Sequence, residues 1–437
     1  MWRLTRKQNE FGKVYRHKAR WVVLGNHQEY LLHYYDTGAS VGRNETFKIM
    51  LILVVTQGYV LYQFDIETAF LHGEMDAVVY VKQVKGFELP GKESWVWRLN
   101  KSLYGTKQAP RMWQLKLVQV LKDLGMNSTR ADDSLYSNAQ KSIFLHVHVD
   151  NGFLIGKSDQ EILHFLKSLH KQLKLKHKKN PTQHLGYHLM WLPDGSVQLS
   201  QRDLIVCLLS DTDMENSQAV KSPCKHNLLK ELDTVDEPIN TTAFQWAIGS
   251  LNYLAQHTRP DILFTVNSLS RYATHPTTKH WIALKHLLRY LKGSSNLCLN
   301  YFNGGNQRGL SVVAQSTTEA EFISMNLCVK QLCWMTYLLT DLGQEVTKPT
   351  VCNNNSGAVT ISNQASLNAN TKHIEIRYQY VRDMVVKKLI ELRQVGTSDM
   401  IADVLTKPMG IKKMQVIFKQ LHLKNQGGVL ESKGVGK

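Results

Sequence analysis

The chain has 437 residues, too many for one ordinary core, and its 43% hydrophobic and 20% charged content fits a soluble globular protein of two or three domains. Lys and Arg number 53 against 36 Asp and Glu, and the formal charge of +17 favours polyanionic partners, nucleic acid first and an anionic membrane second. The six cysteines form no CxxC pair and match no common zinc spacing, which argues against a structural zinc site and for free thiols in a reducing compartment.

In chain order, residues 1 to about 30 are basic and strand-like, with Arg3, Arg6, Lys18 and Arg20 among the cations, and no apolar stretch follows to make a secretory signal. The apolar run at residues 49–55 is too short to span a bilayer and reads as a buried helix or strand. RMWQLKLVQVLKDLG places Trp113, Leu117, Val120, Leu121 and Leu124 on one helical face, with Gly125 just past the end. IFLHVHVDNGFLIG alternates like a strand, breaks at Asp150-Asn151-Gly152 and becomes apolar again. DQEILHFLKSLHKQLKLKHKK carries a helical stripe of Ile162, Phe165, Leu166, Leu169 and Leu173, and the strongly basic tail is expected to belong to that helix.

NPTQHLGYHLMWLPDGSVQLSQ reads as two short strands around the turn Pro193-Asp194-Gly195. The polar stretch from about 210 to 238, with Pro223 and Pro238, looks like a linker or exposed connection. HWIALKHLLRYLKG has an apolar face and, opposite it, Lys279, Lys285, Arg289 and Lys292; each basic face is either solvated or in contact with a phosphate backbone. YFNGGNQRG is a second break, so the segments on either side belong to different domains.

Two apolar stretches end in an acid: Asp65 after Phe64, and Asp150 after Val149. Acids at such positions are costly to bury, and two brought together repel unless a divalent metal compensates them, the arrangement of phosphoryl and nucleotidyl transfer. The plain alternative is that Asp65 caps a helix and Asp150-Asn151-Gly152 is a type I′ turn. On these two segments alone that alternative is the stronger.

The surrounding blocks decide between them. KVYRHKARWVVLG, FDIETAFLHGEM, VYVKQVKGFELPG, WRLNKSLYGTKQAPRMW and HVDNGFLIGK resemble the reverse transcriptase of copia-type LTR retrotransposons. IGSLNYLAQHTRPDILFTVNSLSRY and HWIALKHLLRYLKG continue the resemblance, and QSTTEAEFISM, NANTKHIEIRYQYVRD and MIADVLTKPMG resemble that family's RNase H domain, so nearly the whole chain is covered. The resemblance implies an RNA-directed DNA polymerase that takes dNTPs, an RNA template and a DNA primer, with two Mg2+ ions if active. Asp65 and Asp150 would be the metal carboxylates, with the carbonyl of Ile66 as a further ligand. Phe70 would be the steric gate under the incoming sugar, Lys18 or Arg20 would contact the triphosphate, and Tyr104, Gly105 and Lys107 would shape the nucleotide and template pocket. An intracellular protein with no membrane partner is implied, in cytoplasm or nucleus.

The expected fold is α+β: right-hand fingers and palm over residues 1–225, entered midway through the fingers, with helices on one face of the sheet. A helical thumb or connection follows over 226–302, an incomplete RNase H-like α/β domain over 303–420, and a disordered tail over 421–437. The sequence departs from the family where chemistry is concentrated. HVDN stands for Tyr-Val-Asp-Asp, so Asn151 occupies the third carboxylate position and His148 the tyrosine position. Hard Mg2+ prefers anionic oxygen, so weak or no polymerase activity is expected. In the RNase H segment Glu321 and Asp403 match acidic positions, Asn354 replaces a third, and the first aspartate is missing, so no RNase H activity and imperfect folding there are expected. The protease and integrase of a complete polyprotein are expected to be absent, as in a decayed element copy. The competing readings are a non-catalytic nucleic-acid-binding remnant and a pseudogene product that barely folds.

Overall fold

The computed structural model describes residues 1–8, 14–233, 236–303, 311–313, 318–354, 359, 375–396, 400–408 and 410–426. The chain is a mixed helix and sheet protein that divides into two compact units, residues 1–180 with 341–343, and residues 181–340 with 344–437.

In the first unit β1 (Trp2–Gln8) and β2 (Val14–Trp21) form an antiparallel pair, with Thr5 in register with Lys18 and Arg3 with Arg20. The apolar run at 49–55 resolves as helix, within α1 (Asn44–Gln57), which stops at Gly58 in the left-handed conformation at φ +68°. Then come β3 (Val60–Ile66), the small pair β4 (Tyr80–Lys82) and β5 (Val96–Arg98), and α2 (Ala109–Asp123). After it lie β6 (Met126–Ser128), β7 (Leu135–Asn138), β8 (Ile143–His148), β9 (Asn151–Gly156), α3 (Asp159–Gln172) and β10 (Leu175–Lys179). Six strands make one antiparallel sheet in the order β10-β3-β9-β8-β7-β6.

Side chains alternate across this sheet. Tyr62, Phe64, Leu145 and Leu154 turn to one face, where Trp113, Leu117 and Leu121 of α2 and Ile162, Leu166 and Leu169 of α3 complete the core. The helices are not confined to that face. Phe153 points the other way and stacks on Phe47 of α1, with ring centroids 4.7 Å apart and planes 11° from parallel. Gly152 has to be glycine: a Cβ there would lie 2.4 Å from the Phe64 ring, its cross-strand partner.

Two local expectations are corrected. The basic tail after α3 is a strand. The helical stripe ends at Leu173, which is extended at φ −132°, and Leu175 is buried in register with Ile66 while Lys174 and Lys176 stay exposed. The hairpin corner is Val149-Asp150; Asn151 and Gly152 already belong to β9, because His148 pairs with Asn151.

In the second unit β11 (Gln183–His184), β12 (Tyr187–Trp191) and β13 (Val197–Ser200) replace the two strands expected, and the Pro193-Asp194-Gly195 turn joins the last two, with Gly195 at φ +79°. α4 (Arg202–Asp211), α5 (Leu228–Leu232), α6 (Thr241–His257), α7 (Leu263–Ser270) and α8 (Thr278–Gly293) share one apolar core, and α5 lies inside the stretch expected to be a linker. Arg259, fully buried, is compensated at every turn: it donates to both carboxylate oxygens of Asp261 and to Ser294, and Tyr290 donates to Asp261. β14 (Leu297–Tyr301) pairs with β13.

Further along, β15 (Ser311–Val313), α9 (Thr318–Asp341), β16 (Thr350–Asn353), α10 (Glu375–Val386) and β17 (Glu391–Gln394) build a small parallel sheet, β15-β16-β17, over a core of Met325, Val329, Leu332, Val351, Val381 and Ile390. α11 (Asp403–Thr406), α12 (Ile411–Gln420) and β18 (Leu423–Asn425) follow. β18 pairs with β14, so the start of the stretch 421–437 is a strand rather than a tail; 427–437 lie outside the described residues.

Candidate active site

β3 alternates so that Tyr62, Phe64 and Ile66 enter the core and Asp65 is exposed on the opposite face. Asp65 is in register with Asn151 of β9, and the Ile66 N–H donates to the Asp150 carbonyl at 2.8 Å. The end of β3 and the tip of the β8–β9 hairpin are therefore brought side by side. At the corner Val149 has φ +60°, a left-handed conformation unfavourable for a β-branched residue. Trp113 of α2 donates its Nε1–H to the Val149 carbonyl at 2.7 Å. The Asn151 amide donates to Oδ1 of Asp150 at 3.0 Å. His148, half-buried, encloses an Nδ1 that has no hydrogen-bond partner among the described residues.

Phe70 lies in a single 3-10 turn, Ala69–His72, after β3. Its ring meets Tyr104 edge-on at 5.0 Å, and the guanidinium of Arg20 lies 5.3 Å from the Tyr104 ring centroid. Burial foremost, then the charges of Asp150 and Asp65, raise the pKa of the Tyr104 hydroxyl, while Arg20 lowers it. Both acids thus act on one phenol, and Asp65, Asp150, Asn151, Phe70, Tyr104 and Arg20 form one constellation. Lys18 sits two residues before Arg20 on the same face of β2.

Gly105 and Lys107 are fixed by the segment after β2. Gly105 has φ +92°, and a Cβ there would lie 2.1 Å from the Val23 carbonyl oxygen; the Val23 N–H donates to the Tyr104 carbonyl at 2.8 Å. Lys107 is tied to that segment through its ammonium, 3.2 Å from the Gln28 carbonyl and 3.3 Å from the Tyr34 hydroxyl. Buried Gln28 and Gln108 hold the two segments together, Gln28 Nε2 donating to Gln108 Oε1 at 3.0 Å. Neither glutamine was foreseen, nor was the hydrogen bond from Trp113. An indole in an apolar stripe reads as core, and only the tertiary fold aims its N–H.

The RNase H-like positions fall in the second unit. Glu321 is in α9, but its side chain lies outside the described residues. Asn354 follows β16 and is half-buried. Asp403 is buried and bridged to Lys407 at 2.8 Å and to Lys413 at 3.3 Å. On α8 Arg289 donates to the Gln218 carbonyl and Lys292 to the Ser217 carbonyl, each at 2.6 Å.

Among the described residues no group of three or more His, Cys, Asp or Glu side chains is placed to hold a metal ion. The first-unit constellation instead offers hard oxygen donors: two carboxylates, the Ile66 carbonyl and the Asn151 amide oxygen. That chemistry fits a Mg2+-class ion, but two negative charges match one divalent cation rather than two. Among the described residues no helix is long and apolar enough to cross a membrane.

The family model described as reverse transcriptase (RNA-dependent DNA polymerase) matches residues 1–226. The chain belongs to this family. It is similar over most of its length to copia-type Pol polyproteins: to the retrovirus-related Pol polyprotein from transposon RE2 of Arabidopsis thaliana, 31% identical over 93% of this chain and 31% of that protein, and to that from transposon TNT 1-94 of Nicotiana tabacum, 30% identical over 95% and 35%. The putative transposon Ty5-1 protein of Saccharomyces cerevisiae is 30% identical over 58% of this chain and 82% of its own length. The chain spans about a third of the length of the plant polyproteins.

Proposed function

We propose that the first unit is the palm and fingers of an RNA-directed DNA polymerase of weak activity. What carries this reading is the register that sets Asp65 of β3 against Asn151 and Asp150 at the hairpin tip, with Tyr104 feeling both acids. Asp65, Asp150 and the Ile66 carbonyl would hold Mg2+. When bound, the ion would stabilise the entering and leaving oxygens of nucleotidyl transfer. Phe70, braced edge-on by Tyr104, would wall off the 2′ side of an incoming sugar. Arg20, stacked on Tyr104 beside the acids, would meet a triphosphate, with Lys18 next to it. Asn151 lowers the charge of the site and donates to Asp150, which is the reason for weak activity.

The second unit would comprise the thumb or connection and an RNase H-like domain without RNase H activity, since Asn354 brings no charge and Asp403 is neutralised by two lysines. Primer extension on an RNA template in Mg2+ or Mn2+ tests the polymerase. Slow incorporation that vanishes in Asp65→Ala supports it. Template binding that is steeply salt-dependent, indifferent to Asp65→Ala and without extension supports the second reading, a non-catalytic nucleic-acid-binding remnant, which the amide at 151 and the charge of +17 favour.

A further inference from the structure

The second unit holds a cavity of about 750 Å3 between α8 and the chain from residue 214 to 232. Ties at either end set the gap. At one, Arg289 and Lys292 of α8 donate to the Gln218 and Ser217 carbonyls. At the other, Nε2 of His280 lies 3.1 Å from the Leu232 carbonyl oxygen. Helical spacing puts Lys279, Ile282, Ala283, His286 and Arg289 along the face of α8 that lines the cavity. The floor is apolar: Met214, Cys224, Leu228 and Leu232 are buried there as part of the unit's core. The rim is cationic. Among the described residues every charged side chain lining the cavity belongs to a lysine or an arginine, and Lys230 and Lys285 are exposed. Ile282 also lines it and is 56% exposed, an apolar side chain that folding alone leaves in water.

We propose that this cavity binds a single amphipathic anion, an acidic head on an apolar body of acyl-chain type. The head would sit among the rim lysines and the body against Ile282, Leu228 and Leu232. The volume lies within the range of about 300–1,000 Å3 that small-molecule sites occupy. Apolar area removed from water supplies the affinity, and the cations fix the charged end. A phosphate backbone would use the cations but gain nothing from the apolar floor, whereas a molecule with both parts uses both.

The test is a fluorescence titration of the full chain with anilinonaphthalene sulfonate, itself an amphipathic anion, with thermal melts to confirm folding. The dye binds saturably, one per chain, and laurate displaces it, while acetate and dodecyltrimethylammonium do not. Ile282→Asn and Lys285→Glu, both at exposed positions, each weaken binding at least about fivefold, the order of one near-surface charge pair or one partly buried apolar side chain. No saturable binding by the wild type, or binding that folded Ile282→Asn and Lys285→Glu leave unchanged, overturns the proposal. Displacement by dodecyltrimethylammonium as strong as by laurate makes the site merely apolar and overturns it. Displacement by an oligothymidylate but not by laurate assigns the rim to a phosphate backbone and overturns it too.

Discussion

Trp113 holds the backbone of Val149: its Nε1–H reaches the carbonyl of the residue whose φ of +60° turns the hairpin toward Asp65. A left-handed valine costs roughly 1–2 kcal/mol, so the turn needs outside support. Trp113→Phe keeps a ring in the core but leaves the carbonyl without this donor. It should cost about 1–3 kcal/mol in urea unfolding. Val149→Asn, which tolerates the left-handed region, should fall within about 1 kcal/mol of wild type. Equal stability of Trp113→Phe and wild type would show that the hydrogen bond does not support the turn.

Asn151 donates to Asp150. Asn151→Asp replaces that donor with a second negative charge, so the variant should be less stable than wild type without divalent cation and should regain stability on adding Mg2+. Primer extension should rise at least about tenfold, equivalent to roughly 1.4 kcal/mol off the barrier. No gain by a variant that is folded and binds template would mean that the amide is not what limits activity.

Asp132 is buried, receiving a hydrogen bond from Thr46 at 2.6 Å and one from the Ser134 N–H at 2.9 Å, with His146 3.7 Å away. Burial alone would raise its pKa, but the neighbouring His146 imidazole and the hydrogen bonds from Thr46 and Ser134 outweigh it and hold the carboxyl below its ordinary 3.8. A depressed folded pKa means that the unfolded chain binds more protons in the window below about 4. Stability from this group is therefore present above that window and is lost as pH falls through the folded pKa. Asp132→Asn should flatten the acid limb of a plot of urea midpoint against pH. A limb as steep as wild type would assign acid sensitivity to other groups.

Asp403 is neutralised by Lys407 and Lys413. RNA in an RNA–DNA hybrid should be cut no faster than background, and Asp403→Asn should lower the melting temperature because it leaves two lysines facing a neutral amide. Mg2+-dependent cleavage that Asp403→Asn abolishes would contradict this.

Much of this was readable from residues. The stripes of α2 and α3 show their buried faces directly, and the acid-ended stretches mark the strand ends that the β3–β9 register sets side by side. β10 was misread because Leu169 and Leu173 extend the helical spacing, while Leu173 and Leu175 offer only a single step of alternation. The corner slipped by one residue because Asn-Gly is the stronger turn signal in isolation, and the packing of Phe64 on Gly152 overrides it. The pair Asp403–Lys407 has helical i,i+4 spacing and could have been foreseen, whereas Lys413 is brought in by the fold.

The position of β10 at the rim of the six-stranded sheet has one more effect. Rim strands are templates on which another chain can lay down its own backbone and begin to aggregate. Here any incoming copy would meet Lys174, Lys176, Lys178 and Lys179 with an identical set of its own. Glu67 and Asp159 offset part of this charge by pairing with Lys174, Lys176 and Lys179; the net positive charge that remains opposes two molecules sharing a sheet, and that opposition weakens as salt screens it.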